Sequence, residues 1–273
     1  MGYKTKVDWC DSTWSPVTGC LHGCEYCYAR KIAERFGSIG TEIDTENGYE
    51  CDLYEGTGEN HVLEKPAMRE WKSGKITKAP YPFCFDPTFH RYKLDEPQKW
   101  KKPRNIFACS MADLFGDWVP DEWIKEVFKA CEAAPQHRYL FLTKNPKRYV
   151  ELYEKNILVV GKGYWYGTTV TLPEQPFFYS RVPDDNPQTF MSIEPIMGSF
   201  GKSEGLTDWA IVGAETGSRK GKVVPQKEWI DEIAAECRRR RVPIFMKESL
   251  RKIMGSDFRQ EFPWAKKELA EGE

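Results

Sequence analysis

The chain has 273 residues, 40% apolar and 30% charged, a globular composition able to bury a large core, which argues against disorder. Forty basic residues against forty-one acidic ones leave a net charge of −1, without the basic excess that accompanies phosphate-backbone binding, so a nucleic-acid polymer is not the default substrate. No run approaches the roughly 18 consecutive apolar residues of a membrane span, and "MGYKTKVDWCDSTW" lacks the apolar region of a signal peptide; both predict a cytoplasmic protein away from membranes.

In chain order, Lys6–Trp9 is a weak strand candidate. The stretch "SPVTGCLHGCEYCYARKIAERF" follows, with three cysteines in eight residues and helix-forming composition from Glu25 to Phe36, stopped by Gly37. The cysteine total of nine is odd, and the thiols are scattered apart from this one cluster. That pattern argues for reduced thiols, some of them ligands, rather than a disulfide framework. Residues 37–80 read as an irregular acidic insertion, and Pro82–Phe85 is a second weak strand.

Beyond residue 83 short apolar runs alternate with amphipathic stretches, the pattern of βα units and a parallel sheet. The runs are "NIFACS" (105–110), "YLFLTK" (139–144), "WYGTTV" (165–170), "TFMSIEP" (189–195), "DWAIVGAE" (208–215) and "PIFMKE" (243–248). Two helices are marked between them, "PDEWIKEVFKACEAA" and "PQKEWIDEIAAECRRRR", with apolar residues at one helical face; Cys131 and Cys237 fall on those faces and read as core. Arg238–Arg241 closes the second helix, where the helix dipole favours cations, and reads as a solvated face. Trp14 and Cys109 read as core, and the isolated His90 and His137 receive no role. With no linker dividing the chain, the expectation is one domain over 1–273. Its expected fold is a single-domain TIM-like β/α barrel, full or partial, with the cysteine loop after the first strand; a doubly wound open sheet is the rival. In either, ligands gather at the carboxyl ends of the strands.

The cysteines are spaced Cys20-x3-Cys24-x2-Cys27. Structural zinc takes four protein ligands, and the one other candidate nearby, His22, is cramped between two of them. A four-iron cluster held by three thiolates keeps one iron open to a small chelating molecule.

This motif, with Tyr26 before the last cysteine, resembles that of the radical S-adenosylmethionine superfamily. The segments "TWSPVTGC", "CYARKIAERF", "FACSMADLF", "LFLTKNPKRY", "YGTTV", "SIEPI", "DWAIVGAETG" and "PIFMKE" resemble its phage-associated three-cysteine branch and bacterial relatives, which include queuine lyase. Ala214 and Thr171 depart from the branch pattern. The resemblance implies a 4Fe-4S cluster on Cys20, Cys24 and Cys27, S-adenosylmethionine on the open iron, and a reducing donor such as flavodoxin or ferredoxin. It further implies reductive cleavage to a 5′-deoxyadenosyl radical and a small nucleobase-like substrate, queuine being the named expectation for a lyase. Of the polar residues closing the strands, Ser110, Thr143, Thr168 and Glu194 are expected with Tyr26 at the cofactor, and Asp113, Glu215 and Lys247 at the substrate. Modification of bases in phage DNA or tRNA, and a metal-stabilised binding module without turnover, are the alternatives.

Overall fold

The computed structural model describes residues 5–37, 57–70, 73–176, 187–201, 207–217 and 219–265. Its main sheet has seven strands: β1 (Ser12–Trp14), β7 (Asn105–Ala108), β8 (Arg138–Thr143), β9 (Tyr164–Thr169), β10 (Gln188–Ile193), β11 (Trp209–Val212) and β12 (Ile244–Met246). They are all parallel and lie side by side in chain order. A smaller sheet orders β2 (Val17–Thr18), β6 (Thr88–His90) and β3 (His61–Leu63), and β4 (Met68–Glu70) pairs with β5 (Ile76–Lys78).

The chain is α/β, but the expected TIM-like barrel is not formed. The sheet has seven strands rather than eight, and β1 and β12 are its two edges among the described residues. The outer edge of β12 is taken by the chain's own C-terminal segment. Met246 N–H donates to Arg259 O at 2.8 Å, Glu261 N–H donates to Ile244 O at 2.9 Å, and Phe245 bridges Gln260 in antiparallel sense. That segment stands where a closing strand would have to pair.

The sheet curls around an aromatic plug. Trp9 has its ring 4.6 Å from Phe107 on β7 and 6.3 Å from Trp209 on β11, centroid to centroid. In a flat sheet those strands would be four spacings, about 19 Å, apart. Phe107, Leu140, Trp165, Phe190, Trp209, Ile211 and Phe245 fill this concave side. Their alternating neighbours Ile106, Tyr139, Phe141, Tyr166, Ala210, Val212, Ile244 and Met246 point to the opposite side, as the period of two demands.

Helices cover that outer side. In α2 (Asp121–Glu132) Trp123, Ile124, Val127, Phe128 and Cys131 are buried, and Asp121 and Glu122 complement the dipole of the first turn. In α4 (Lys227–Arg240) Ile230, Ile233, Ala234 and Cys237 are buried, and Arg238, Arg239 and Arg240 occupy the last turn. Cys131, Cys237, Cys109 and Trp14 are core, as read from the sequence. Between β8 and β9 runs α3 (Lys147–Glu154); α1 (Tyr28–Phe36) follows the cysteine loop, and α5 (Arg251–Met254) follows β12.

The weak strand expectations fail. Residues 6–9 form no strand, because Trp9 leaves the sheet to plug it, and 82–85 form a turn before β6. Residues 38–56 and 71–72 of the expected irregular insertion lie outside the described residues, and the rest of 37–80 carries β3, β4 and β5. Among the described residues no helix is long and apolar enough to cross a membrane.

Candidate metal centre and adjoining carboxylates

The cysteine loop leaves β2 through Gly19, whose φ of +86° and position against Asp86 require glycine: a Cβ there would stand 2.0 Å from Asp86 O. Gly19 N–H donates to Met111 O at 2.9 Å and Cys20 N–H to Phe85 O at 3.1 Å, fixing the loop beside the segment that follows β7. Cys27 N–H donates to Cys24 O at 3.1 Å, a turn that leads into α1. Cys27 caps that helix, its sulfur accepting from Arg30 N–H at 3.3 Å, so the positive end of the helix dipole faces the sulfur.

Cys20 and Cys27 pack with Ala29, Ala33 and Phe85. Burial pushes the Cys20 thiol up to about 12; the His22 N–H opposes this, while Asp113 and the Cys27 and Cys24 sulfurs add to it. The Cys20 sulfur therefore lies within electrostatic reach of the other two. Among the described residues no group of three or more His, Cys, Asp or Glu could hold a single metal ion. A cluster is larger than one ion and is gripped at separate corners, so a wider triad of thiols suits it. The donor set is sulfur only, with Cys20 and Cys27 against an apolar niche and Cys27 at a helix N-terminus, and it fits an iron–sulfur cluster. Coordination would take Cys20 as the thiolate and release its proton. Of the other described thiols, Cys84 is remote. A Cβ on Gly37 would stand 3.5 Å from Cys84 Sγ, which puts that sulfur at the far end of the nine-residue α1, about 13 Å from its start.

Two aromatic residues of the motif turn toward the strand ends. Tyr26 lies near Cys24, Cys27 and Glu215 and has Lys144 Nζ 5.4 Å from its ring centre; burial, then its cysteine and carboxylate neighbours, raises its phenol. The Tyr28 ring is half exposed, while its hydroxyl reaches inward to donate to Ser110 O at 2.6 Å. Burial first, then Glu194 and Cys27, raise that phenol as well.

Of the other expected residues, Glu194, Glu215 and Lys247 close β10, β11 and β12 on the concave side. Lys247 Nζ pairs with Glu194 Oε1. Gly213 makes room for this pair, since a Cβ there would stand 2.8 Å from Lys247 Cδ. Glu215, its side chain 3% exposed, holds Arg219 through two parallel bonds, Nε to Oε1 at 2.7 Å and Nη2 to Oε2 at 2.8 Å. Arg219 keeps the Glu215 carboxyl below the usual range despite burial, and Lys31 and Lys222 help.

Asp113 is fully engaged in building the loops. Its Oδ1 accepts from Phe115 N–H at 3.0 Å; its Oδ2 accepts from Lys144 N–H at 2.9 Å and stands 2.7 Å from His22 Nε2. Ser110 Oγ lies 3.3 Å from Ser15 Oγ. Thr143 and Thr168 do not join the group. They are register partners that continue the alternation of Phe141 and Tyr166 toward the helices, and they are buried there.

Arg219 and the His22–Asp113 contact were not legible from the sequence. Arg219 sits in the solvated-looking "ETGSRKGK", and the His22 partner lies 91 residues away. A cavity of about 560 Å³ against α4 is lined by Lys227, Asp231, Arg238, Asp257 and Arg259, with Lys227 paired to both aspartates, and none of the expected residues lines it.

Residues 4–253 match the model of a family described as "Protein of unknown function (DUF5131)". The chain belongs to the DUF5131 family. The match runs from before β1 into α5 and includes the cysteine loop and every strand of the main sheet. No curated protein and no solved structure shows significant similarity to the chain.

Proposed function

We propose that the protein is a radical S-adenosylmethionine enzyme, a lyase acting on a small nucleobase-like molecule, with queuine as the named substrate. The observation that carries this reading is the three-thiol loop, with Tyr26 near Cys24, Cys27 and Glu215 and Tyr28 near Cys27 and Glu194 at the strand ends. A cluster held on Cys20, Cys24 and Cys27 would supply, once reduced, the electron that cleaves the sulfonium of S-adenosylmethionine.

The chain's own groups divide the remaining work. Glu194 and Lys247 form an opposed pair of charges suited to the amino and carboxyl groups of an amino-acid moiety. The Tyr28 hydroxyl lies near both Glu194 of that pair and Cys27. The apolar packing of Ala29, Ala33 and Phe85 shields one side of Cys20 and Cys27 from water, as a reactive intermediate requires. Glu215 offers a buried carboxylate held by a single side chain, Arg219, whereas the oxygens of Asp113 are held by the backbone N–H groups of Phe115 and Lys144. The proposed setting is the reducing cytoplasm, with flavodoxin or ferredoxin as the electron source.

The test is anaerobic incubation of cluster-loaded protein with dithionite, S-adenosylmethionine and queuine. Formation of 5′-deoxyadenosine together with a smaller deazaguanine supports both parts of the proposal. The nucleoside without the deazaguanine overturns the substrate, and neither product above a Cys27→Ala control overturns the chemistry.

A further inference from the structure

The Glu215–Arg219 pair has the geometry of a recognition site filled from within. Both carboxylate oxygens receive one planar fork of N–H groups, at 2.7 and 2.8 Å, from a side chain only four residues away. Glu215 is almost wholly enclosed, and Arg219 is 21% exposed. The third nitrogen of the same guanidinium already stands 3.4 Å from Glu25 Oε2, a carboxylate 83% exposed, lying between Cys24 and Tyr26 on the cysteine loop.

Arg219 thus spans two acceptors of unequal setting. Leaving Glu215 would strand a buried carboxylate unless another pair of donors replaced the fork. Leaving toward Glu25 costs Arg219 little, because that partner is in water and already in reach. Exchange of one donor pair for another is the step this arrangement makes easy.

We infer that the Glu215 carboxylate is the docking point for a planar ligand edge bearing two adjacent N–H donors, and that Arg219 occupies it until such a ligand displaces the fork toward Glu25. The ligand class is the 2-amino-4-oxopyrimidine edge, whose ring N–H and amino group lie side by side as in a guanidinium. An edge pairing one donor with one acceptor sets its lone pair against a carboxylate oxygen and is refused. This rests on the proposed reading in setting Glu215 at the substrate. It makes Arg219 a gate of specificity, a side chain that substrate must move.

Isocytosine carries the required edge, and its isomer cytosine does not, at equal size. Dissociation constants for both, from NMR titration of the anaerobic full-length protein, test the inference. No electron transfer is needed, so the outcome is independent of whether S-adenosylmethionine is cleaved. Wild type is expected to bind isocytosine in preference to cytosine. Arg219→Ala should bind isocytosine about tenfold more tightly and cytosine no better, and Glu215→Gln should lose about tenfold for isocytosine. Glu25→Gln removes the exposed partner without touching packing, and should weaken isocytosine about threefold by holding Arg219 on Glu215. Thermal melts accompany each variant; should Arg219→Ala not fold, Arg219→Lys and Glu25→Gln carry the test in its place. Equal affinity of wild type for the two isomers, an Arg219→Ala or Arg219→Lys protein that binds isocytosine no better than wild type, or an equal gain for both isomers would overturn the inference.

Discussion

Asp113→Asn separates a loop-building carboxylate from a substrate contact. In wild type the side chain, 7% exposed, accepts from Phe115 N–H and Lys144 N–H and touches His22. Asparagine can keep one oxygen for Phe115, and His22 can adapt by its choice of tautomer. Its amide then points donors at the Lys144 N–H, which loses its acceptor. A hydrogen bond to a charged group contributes about 1.5–3 kcal/mol, and an orphaned buried donor costs a comparable amount that partly overlaps it, so we expect a loss of about 2–4 kcal/mol. In a chain of this size that lowers the melting temperature by roughly 3–8 °C. Asp117→Asn is the control, because that carboxylate is 65% exposed and accepts from Asn145, so its change should stay within about 0.5 kcal/mol. Calorimetry of the three proteins at pH 7 is the assay. An Asp113→Asn protein melting within about 2 °C of wild type, with a loss confined to substrate turnover, would refute the reasoning and return Asp113 to the substrate.

Gly19→Ala should cost at least about 2 kcal/mol in urea unfolding, since alanine is strained at a φ of +86° and its Cβ meets the Asp86 carbonyl; an unchanged midpoint would contradict the close approach. His90 is fully buried between Thr18 Oγ1 at 2.8 Å and the Tyr92 hydroxyl at 3.2 Å; burial, with Lys93 adding, lowers its pKa from 6.5 to about 3. The unfolded chain takes up this proton as pH falls below about 6.5 while the folded chain refuses it, so stability should drop by about 1.4 kcal/mol per pH unit down to about pH 3 and carry no such slope above. His90→Gln should remove that slope, and a slope that persists unchanged would assign it to other groups. Ala substitution of Cys20, Cys24 or Cys27 should each abolish iron retention, whereas Cys131→Ala, at a core position, should lower the melting temperature and retain iron; iron analysis after desalting distinguishes the two classes.

The six strands from β7 to β12 were legible because each is a short apolar run buried on both sides, and their flanking helices show one apolar face. The first strand was not, since Ser12–Trp14 holds two small polar residues and one Trp, while the more hydrophobic-looking segment before it serves as a plug. Barrel closure was misread for a related reason. Strand periodicity reports which faces are buried and says nothing of what lies along an edge, and here residues 259–261 take the edge of β12. At the site, the spacing of the cysteines marked the loop that is proposed to hold a cluster. It could not show that backbone N–H groups surround Asp113 or that Thr143 points toward the helices, because a carboxylate's partners are set by the fold and a threonine's direction by how its strand alternates.

The measurement closest to the central claim is the metal content of anaerobically purified protein, read with electron paramagnetic resonance after reduction, before and after S-adenosylmethionine is added. The account predicts about four irons and matching sulfide per chain, with a reduced-cluster signal that changes on addition because the open iron gains a ligand. Stoichiometric zinc without iron, or a cluster signal indifferent to S-adenosylmethionine, would contradict it.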